Sequence, residues 1–174
     1  QIPGGSIMNS GADGALDTKR NVVWEIGGDN VLKYNLSLPD RYGESVVTTG
    51  TNPIVTAYYP GVEYDPVSDN IVGWYGGSNV YTLNPDTLVW TTLTPAPTNV
   101  IIPTAVPFNG VYGRFRYIPS KNVFITVNSV DEDVYVYKLS AGGVPPPSDT
   151  TAPTVSITSP INGATVSGIT AISA

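Results

Sequence analysis

Apolar and polar residues alternate over short runs along most of this chain, and Gly, Pro, Asn and Asp separate the runs. Alternation of that length between turn residues is the mark of half-buried β-strands. Residues 61–93 resolve into four of them, at 61–64, 71–75, 79–83 and 88–93. The first turn contains Pro66, the second is Gly76-Gly77, and the third is Asn84-Pro85-Asp86. Glycine tolerates positive φ, so the Gly-Gly pair permits a sharp reversal. The expected product is a four-stranded antiparallel meander, which is too small to be stable alone and must bury its faces against neighbours. Periodic runs of helix formers are absent.

The same pattern occurs three times. Leu16-Asp17, Asn21-Val22-Val23-Trp24, Gly27-Gly28 and Val31-Leu32-Lys33-Tyr34 form the first copy. Tyr64-Asp65-Pro66, Asn70-Ile71-Val72-Gly73-Trp74, Gly76-Gly77 and Val80-Tyr81-Thr82-Leu83 form the second. Tyr117-Ile118-Pro119, Asn122-Val123-Phe124, Asn128-Ser129 and Val134-Tyr135-Val136-Tyr137 form the third. Asn21 to Asn70 is 49 positions and Asn70 to Asn122 is 52, a spacing that predicts one structural module per copy with small loop insertions. The last strand of the first copy is expected at 45–49. The third copy has no outermost strand, because Leu139 runs directly into Ser140-Ala141-Gly142-Gly143-Val144-Pro145-Pro146-Pro147.

An apolar strand ending in Gly-Gly, a Tyr a few residues on and a Trp in the next strand resembles the kelch repeat of β-propellers. Gly76-Gly77, Tyr81 and Trp90 match that pattern fully. The first copy keeps Gly27-Gly28 and Tyr34 but has no final Trp, and the third replaces the glycine pair with Asn128-Ser129 and inserts Asp131-Glu132-Asp133, as galactose-oxidase-like and other divergent propellers do. The resemblance implies an all-β chain: a partial β-propeller of about three four-stranded antiparallel blades over 1–140, the C-terminal part of a larger ring. Residues 1–8 are then either the strand that completes the last blade or the end of a preceding one. Residues 141–150 read as a Gly/Pro linker. Residues 151–174, with Ala152-Pro153-Thr154-Val155-Ser156-Ile157 and Asn162-Gly163-Ala164-Thr165-Val166-Ser167-Gly168, resemble the opening of a bacterial immunoglobulin-like domain, truncated because a full sandwich needs about 100 residues. Propellers close with about four to eight blades, so the partners expected are missing blades or copies of this chain.

Composition narrows the chemistry. With 41% hydrophobic residues among 174 the chain has ample material for a core. A net charge of -6 with only eight Lys and Arg disfavours nucleic acid and anionic membrane surfaces. Without His or Cys there is no disulfide framework, thiol nucleophile or ordinary copper, zinc or iron site, and no cofactor is expected. No apolar run spans a membrane, and Gln1 opens without the features of a signal peptide, so the chain reads as processed or as a piece of something longer.

By the resemblance, the first strand of each blade lines the central channel. In the third copy this strand is 112–117, where alternation puts Arg114 and Arg116 on one face and Phe115 and Tyr117 on the other. Two guanidinium forks aimed at a channel suit the carboxylates or sulfates of an acidic sugar. The alternative is that they pair with acidic residues of adjacent blades, such as Glu63 on the equivalent strand. The long connections 53–60 and 94–109 carry Tyr58-Tyr59 and Phe108, which would either stack on sugar rings or fill gaps between blades. Trp24, Trp74 and Trp90 are assigned to packing between blades. Asp131, Glu132 and Asp133 read as a solvated turn, since their spacing matches no defined calcium loop. No serine sits in a nucleophile elbow and no phosphate-cradling glycine loop follows a strand.

The functional expectation is a non-catalytic binding or scaffold part of a secreted or cell-surface bacterial multidomain protein, recognising a polysaccharide, a cell-surface glycan or another extracellular ligand. Two alternatives stand beside it. One is a fragment of a propeller-type carbohydrate-active enzyme or oxidase whose catalytic residues lie outside this chain. The other is a small lectin-like propeller closed by homo-oligomerisation.

Overall fold

A computed structural model describes residues 11–39, 42–139, 156 and 158–171. They form three sheets in chain order, antiparallel throughout except for one short parallel pair at the edge of the second, and no closed barrel. The first sheet is a meander of β1 (Ala12–Asp17), β2 (Val22–Gly27), β3 (Asn30–Asn35) and β4 (Gly43–Ser45). The chain then makes β5 (Thr49–Gly50) and a single helical turn, α1 (Pro53–Thr56), before β6 (Gly61–Asp65), β7 (Asn70–Trp74), β8 (Val80–Asn84) and β9 (Val89–Leu93). The third sheet contains β10 (Phe115–Ile118), β11 (Val123–Thr126) and β12 (Tyr135–Tyr137). The four strands expected in 61–93 are all present, displaced by at most one residue at either end.

Two expectations are corrected. Residues 45–49 do not make the fourth strand of the first copy: β4 ends at Ser45, and Thr49 and Gly50 pair in parallel with Val89 and Trp90 on the outer edge of the second sheet. Residues 112–114 are not strand but a 3-10 turn, because Tyr112 takes a left-handed φ of 46° that interrupts the pleat before β10. The expectations for 1–8, for the 141–150 linker and for most of 151–157 lie outside the described residues.

The repeat is visible in the backbone. Asn21, Asp69 and Asn122 have φ of 54°, 55° and 50°, each in the turn joining the first two strands of its sheet. Asn and Asp adopt this conformation more readily than other non-glycine residues. Asp69, rather than Asn70, is therefore the counterpart of Asn21 and Asn122. The same turn is closed by an aspartate in the first two sheets. Asp17 accepts from the Lys19 and Arg20 amides at 3.1 and 3.0 Å, and Asp65 accepts from the Val67 amide at 2.9 Å and the Ser68 hydroxyl at 2.8 Å.

β1, β6 and β10, the first strands of the three sheets, lie side by side. Two apolar clusters fill the spaces between sheets. Trp24, Ile26, Ile54, Val62, Tyr64, Ile71, Leu83 and Trp90 share the first, and Val72, Trp74, Val80, Val111, Phe115 and Phe124 the second. Adjacent residues Ile71 and Val72 belong to different clusters, so β7 is buried on both faces by the period of two of a strand. Each large apolar side chain removed from water this way contributes roughly 1.5–3 kcal/mol. The three tryptophans take the packing role that the sequence assigns them. At Gly61 a Cβ would collide with Phe115, so glycine lets β6 and the third sheet approach closely. No helix of the described residues is long and apolar enough to cross a membrane.

Candidate functional site

The segments leading into β6 and β10 meet beside the neighbouring strands β1, β6 and β10. The Tyr59 amide donates to Gly11 O at 2.7 Å, and the Val111 amide donates to Tyr59 O at 2.7 Å. Between these anchors Tyr59 (φ 61°) and Tyr112 (φ 46°) both take left-handed backbones. That conformation is a true outlier for a bulky side chain and costs about 1–3 kcal/mol per residue. The strain aims both rings at one place: they stack with centroids 4.6 Å apart and planes 29° apart. Tyr58 meets Tyr59 edge-on at 6.2 Å. Tyr58 is 54% exposed and Tyr112 43%, so the cluster faces solvent. Gly110 (φ 70°) sits beneath it, where a Cβ would strike both Tyr59 Cβ and Tyr59 O. Desolvation, followed by hydrogen bonding to the Tyr59 side chain, raises the Tyr112 hydroxyl above the usual phenol range.

Charged groups on β1, β6 and β10 lie near this cluster. Arg116 Nη1 donates to Glu63 Oε1 at 2.8 Å, and its Nε donates to Gly113 O at 3.0 Å, in the same 3-10 turn as Tyr112. Asp13 on β1 accepts from the Val62 amide at 3.1 Å and the Gly14 amide at 2.9 Å. Burial pushes the carboxyls of Asp13 and Glu63 up, and the Arg116 charge opposes it in both. Arg116, held by Glu63, is raised in turn.

The five residues singled out from sequence thus separate. Tyr58 and Tyr59 join one exposed aromatic cluster, and Arg116 and Glu63 form an ion pair between the neighbouring strands β10 and β6. Arg114 stands apart: its guanidinium is spent on the carbonyls of Val111 and Asn128, each at 3.0 Å, and of Gly110. The alternation expected for 112–117 fails for Arg114 because that residue belongs to the 3-10 turn. Phe108 is fully exposed. Asp131, Glu132 and Asp133 are exposed, and the described residues contain no group of three or more acidic side chains that could hold a metal ion.

Tyr112 and Asp13 join this candidate site without having been singled out for it from sequence. Tyr112 lies between Gly110 and Gly113, and that glycine bracket is the available signal of an unusual backbone around an aromatic residue. Away from the tyrosines, a cavity of about 740 Å³ between the second and third sheets had no sequence signal at all. No family model, curated protein or solved structure matches this chain.

Proposed function

We propose that this chain is the binding part of a β-propeller in a secreted or cell-surface protein, and that it recognises a glycan through the Tyr58, Tyr59 and Tyr112 cluster. The observation that carries the reading is the pair of stacked tyrosines held open to solvent at the cost of two left-handed backbones. Strain of this kind persists where the surroundings enforce it, and it clusters at binding sites. Aromatic faces suit the apolar faces of sugar rings, while Arg116, Glu63 and Asp13 offer donors and acceptors to hydroxyl groups nearby. The side-by-side arrangement of β1, β6 and β10, each opening an antiparallel sheet, supports the radial architecture.

The test is a polysaccharide array screen of the intact chain, followed by calorimetry on the best ligand. Tyr58→Ala and Tyr112→Ala should each weaken binding about tenfold or more, while Phe108→Ala leaves it unchanged. Absence of binding to every polysaccharide, or binding indifferent to both tyrosines, would remove the reading.

A further inference from the structure

Tyr59 and Tyr112 stand 53 positions apart in sequence, yet their backbones are bonded to each other. The Val111 and Tyr112 amides both donate to Tyr59 O, at 2.7 and 3.4 Å, and the Tyr59 amide donates in turn to Gly11 O at 2.7 Å. Gly110 closes the contact, since any side chain there would strike Tyr59 Cβ. With both backbones left-handed and fixed in this way, the two rings stack at 4.6 Å and their hydroxyls are hydrogen-bonded to each other.

Other tyrosines are engaged differently. The hydroxyls of Tyr34, Tyr64 and Tyr117 donate to Glu25 Oε2, Asp69 Oδ1 and Asn122 Oδ1 at 2.7, 2.9 and 3.0 Å. Tyr58 meets Tyr59 edge-on, with centroids 6.2 Å apart. Among the described residues, Tyr59 and Tyr112 are therefore the pair of tyrosines that both stack and join through their oxygens. That arrangement makes neighbours of the ring carbons ortho to the oxygens, and those carbons carry much of the unpaired electron of a phenoxyl radical. Tyr112 is 43% exposed, so an oxidant in solution reaches it. The chain has no cysteine, hence no disulfide to tie its loops and no thiol to intercept a radical.

We propose that Tyr59 and Tyr112 are an oxidative cross-linking site, at which an oxidant of the haem-peroxidase class, consuming hydrogen peroxide, joins the two rings into a biphenol. Each phenol gives one electron to the oxidant and one proton to water, leaving two phenoxyl radicals. The radicals pair to form one carbon–carbon bond between ortho carbons. Each of those carbons then loses its hydrogen as a proton while its oxygen regains one, which restores both phenols. In net terms two C–H bonds break, and one hydrogen peroxide takes up the two electrons and two protons to become two waters. Contact between the rings makes the step intramolecular, which favours it over links between molecules. The product closes a loop of 53 positions and ties the approach to β6 to the turn before β10. A cross-link of that span stabilises by constraining the unfolded chain, as a disulfide does. The site rests on the geometry of the pair and stands independently of glycan recognition.

The test treats the intact 174-residue protein, at low concentration, with a haem peroxidase and limiting hydrogen peroxide. Cleavage behind Glu44, Glu63 and Arg114 then gives peptides 45–63 and 64–114. They should run as one species, lighter than their sum by two hydrogen atoms and carrying the blue fluorescence of a biphenol. This species should form about tenfold or more faster than any link between molecules. Tyr59→Phe and Tyr112→Phe should each abolish it, while Tyr75→Phe, at a comparably exposed ring in the second peptide, leaves it unchanged. The joined protein should melt several degrees above the unjoined one. A joint that survives Tyr59→Phe or Tyr112→Phe, links formed only between molecules, or an unchanged Tm would each overturn the proposal.

Discussion

The two junctions between sheets join equivalent strands with different physics. The first is tied at its turn end by one guanidinium. Arg20 donates to the fully buried Asp17 at 2.9 Å, to Asp69 at 2.7 and 2.9 Å, and to Asp86 at 3.0 and 2.8 Å. Lys19 also bonds to Asp69, and the Tyr64 hydroxyl donates to it at 2.9 Å. Three turns, those between β1 and β2, β6 and β7, and β8 and β9, are therefore held at one point. The second junction depends on rings: Phe115 stacks on Phe124 at 5.1 Å and on Trp74 at 6.1 Å, and Tyr117 tilts against Phe124 at 5.1 Å. One contact recurs. Tyr117, raised first by burial and then by Asp65, reaches the aspartate of the preceding sheet, as Tyr64 sits in the field of Asp17. A repeat can keep its backbone while the bonding between modules is exchanged almost completely.

The comparison breaks most sharply at Arg20. Arg20→Ala leaves the Asp17 carboxylate buried without its counter-charge, and urea unfolding should show a loss of about 3–5 kcal/mol. Arg20→Lys should recover only part of it, because an ammonium group cannot present a planar fork to three carboxylates. At the ring junction a volume-conserving change is tolerated, so Phe124→Leu should cost about 1–1.5 kcal/mol in the same assay. Arg116→Gln, at an exposed ion pair, should cost less than about 1 kcal/mol, and less still in high salt.

Acid should separate the Arg20 turns from the Asp13 and Glu63 carboxyls by sign. The Arg20 hydrogen bond holds the Asp69 carboxyl well below the usual range, so its stabilisation is present above the ordinary value of 3.8 and is lost as pH falls through the depressed one. Asp13 and Glu63 are raised above their ordinary values of 3.8 and 4.5, so their ionised forms cost stability at neutral pH. That cost is relieved as pH falls through the raised values toward the ordinary ones. Hydrogen exchange corrected for its intrinsic pH dependence should show the turn between β1 and β2 loosening below about pH 4, while β6 and β10 hold or tighten from neutral pH down to about 4.5. Simultaneous loosening of both would contradict the assignment.

Much of this is legible in the sequence alone. Alternation and turn residues located all four strands in 61–93, because burial on one or both faces writes a period of two into the sequence. The pairing of Arg116 with Glu63 was legible as an alternative, since opposite charges sat at matching positions of equivalent strands. β5 was not, because a two-residue parallel pairing carries no periodicity. The bend at Tyr112 left only the bracketing Gly110 and Gly113 as a trace, because tyrosine does not encode a left-handed backbone and the contact between two loops distant in sequence enforces it. Arg114 was misplaced for the same reason.

The parallel pairing of β5 with β9 has a consequence for biosynthesis. Thr49 and Gly50 leave the ribosome before Val89 and Trp90, so the flap that shields the outermost ladder of the second sheet is translated ahead of the ladder it shields. Nascent intermediates then spend little time with that border bare. Deleting residues 46–50 should accordingly show up first as aggregation during expression, ahead of any deficit in the thermal stability of the purified protein.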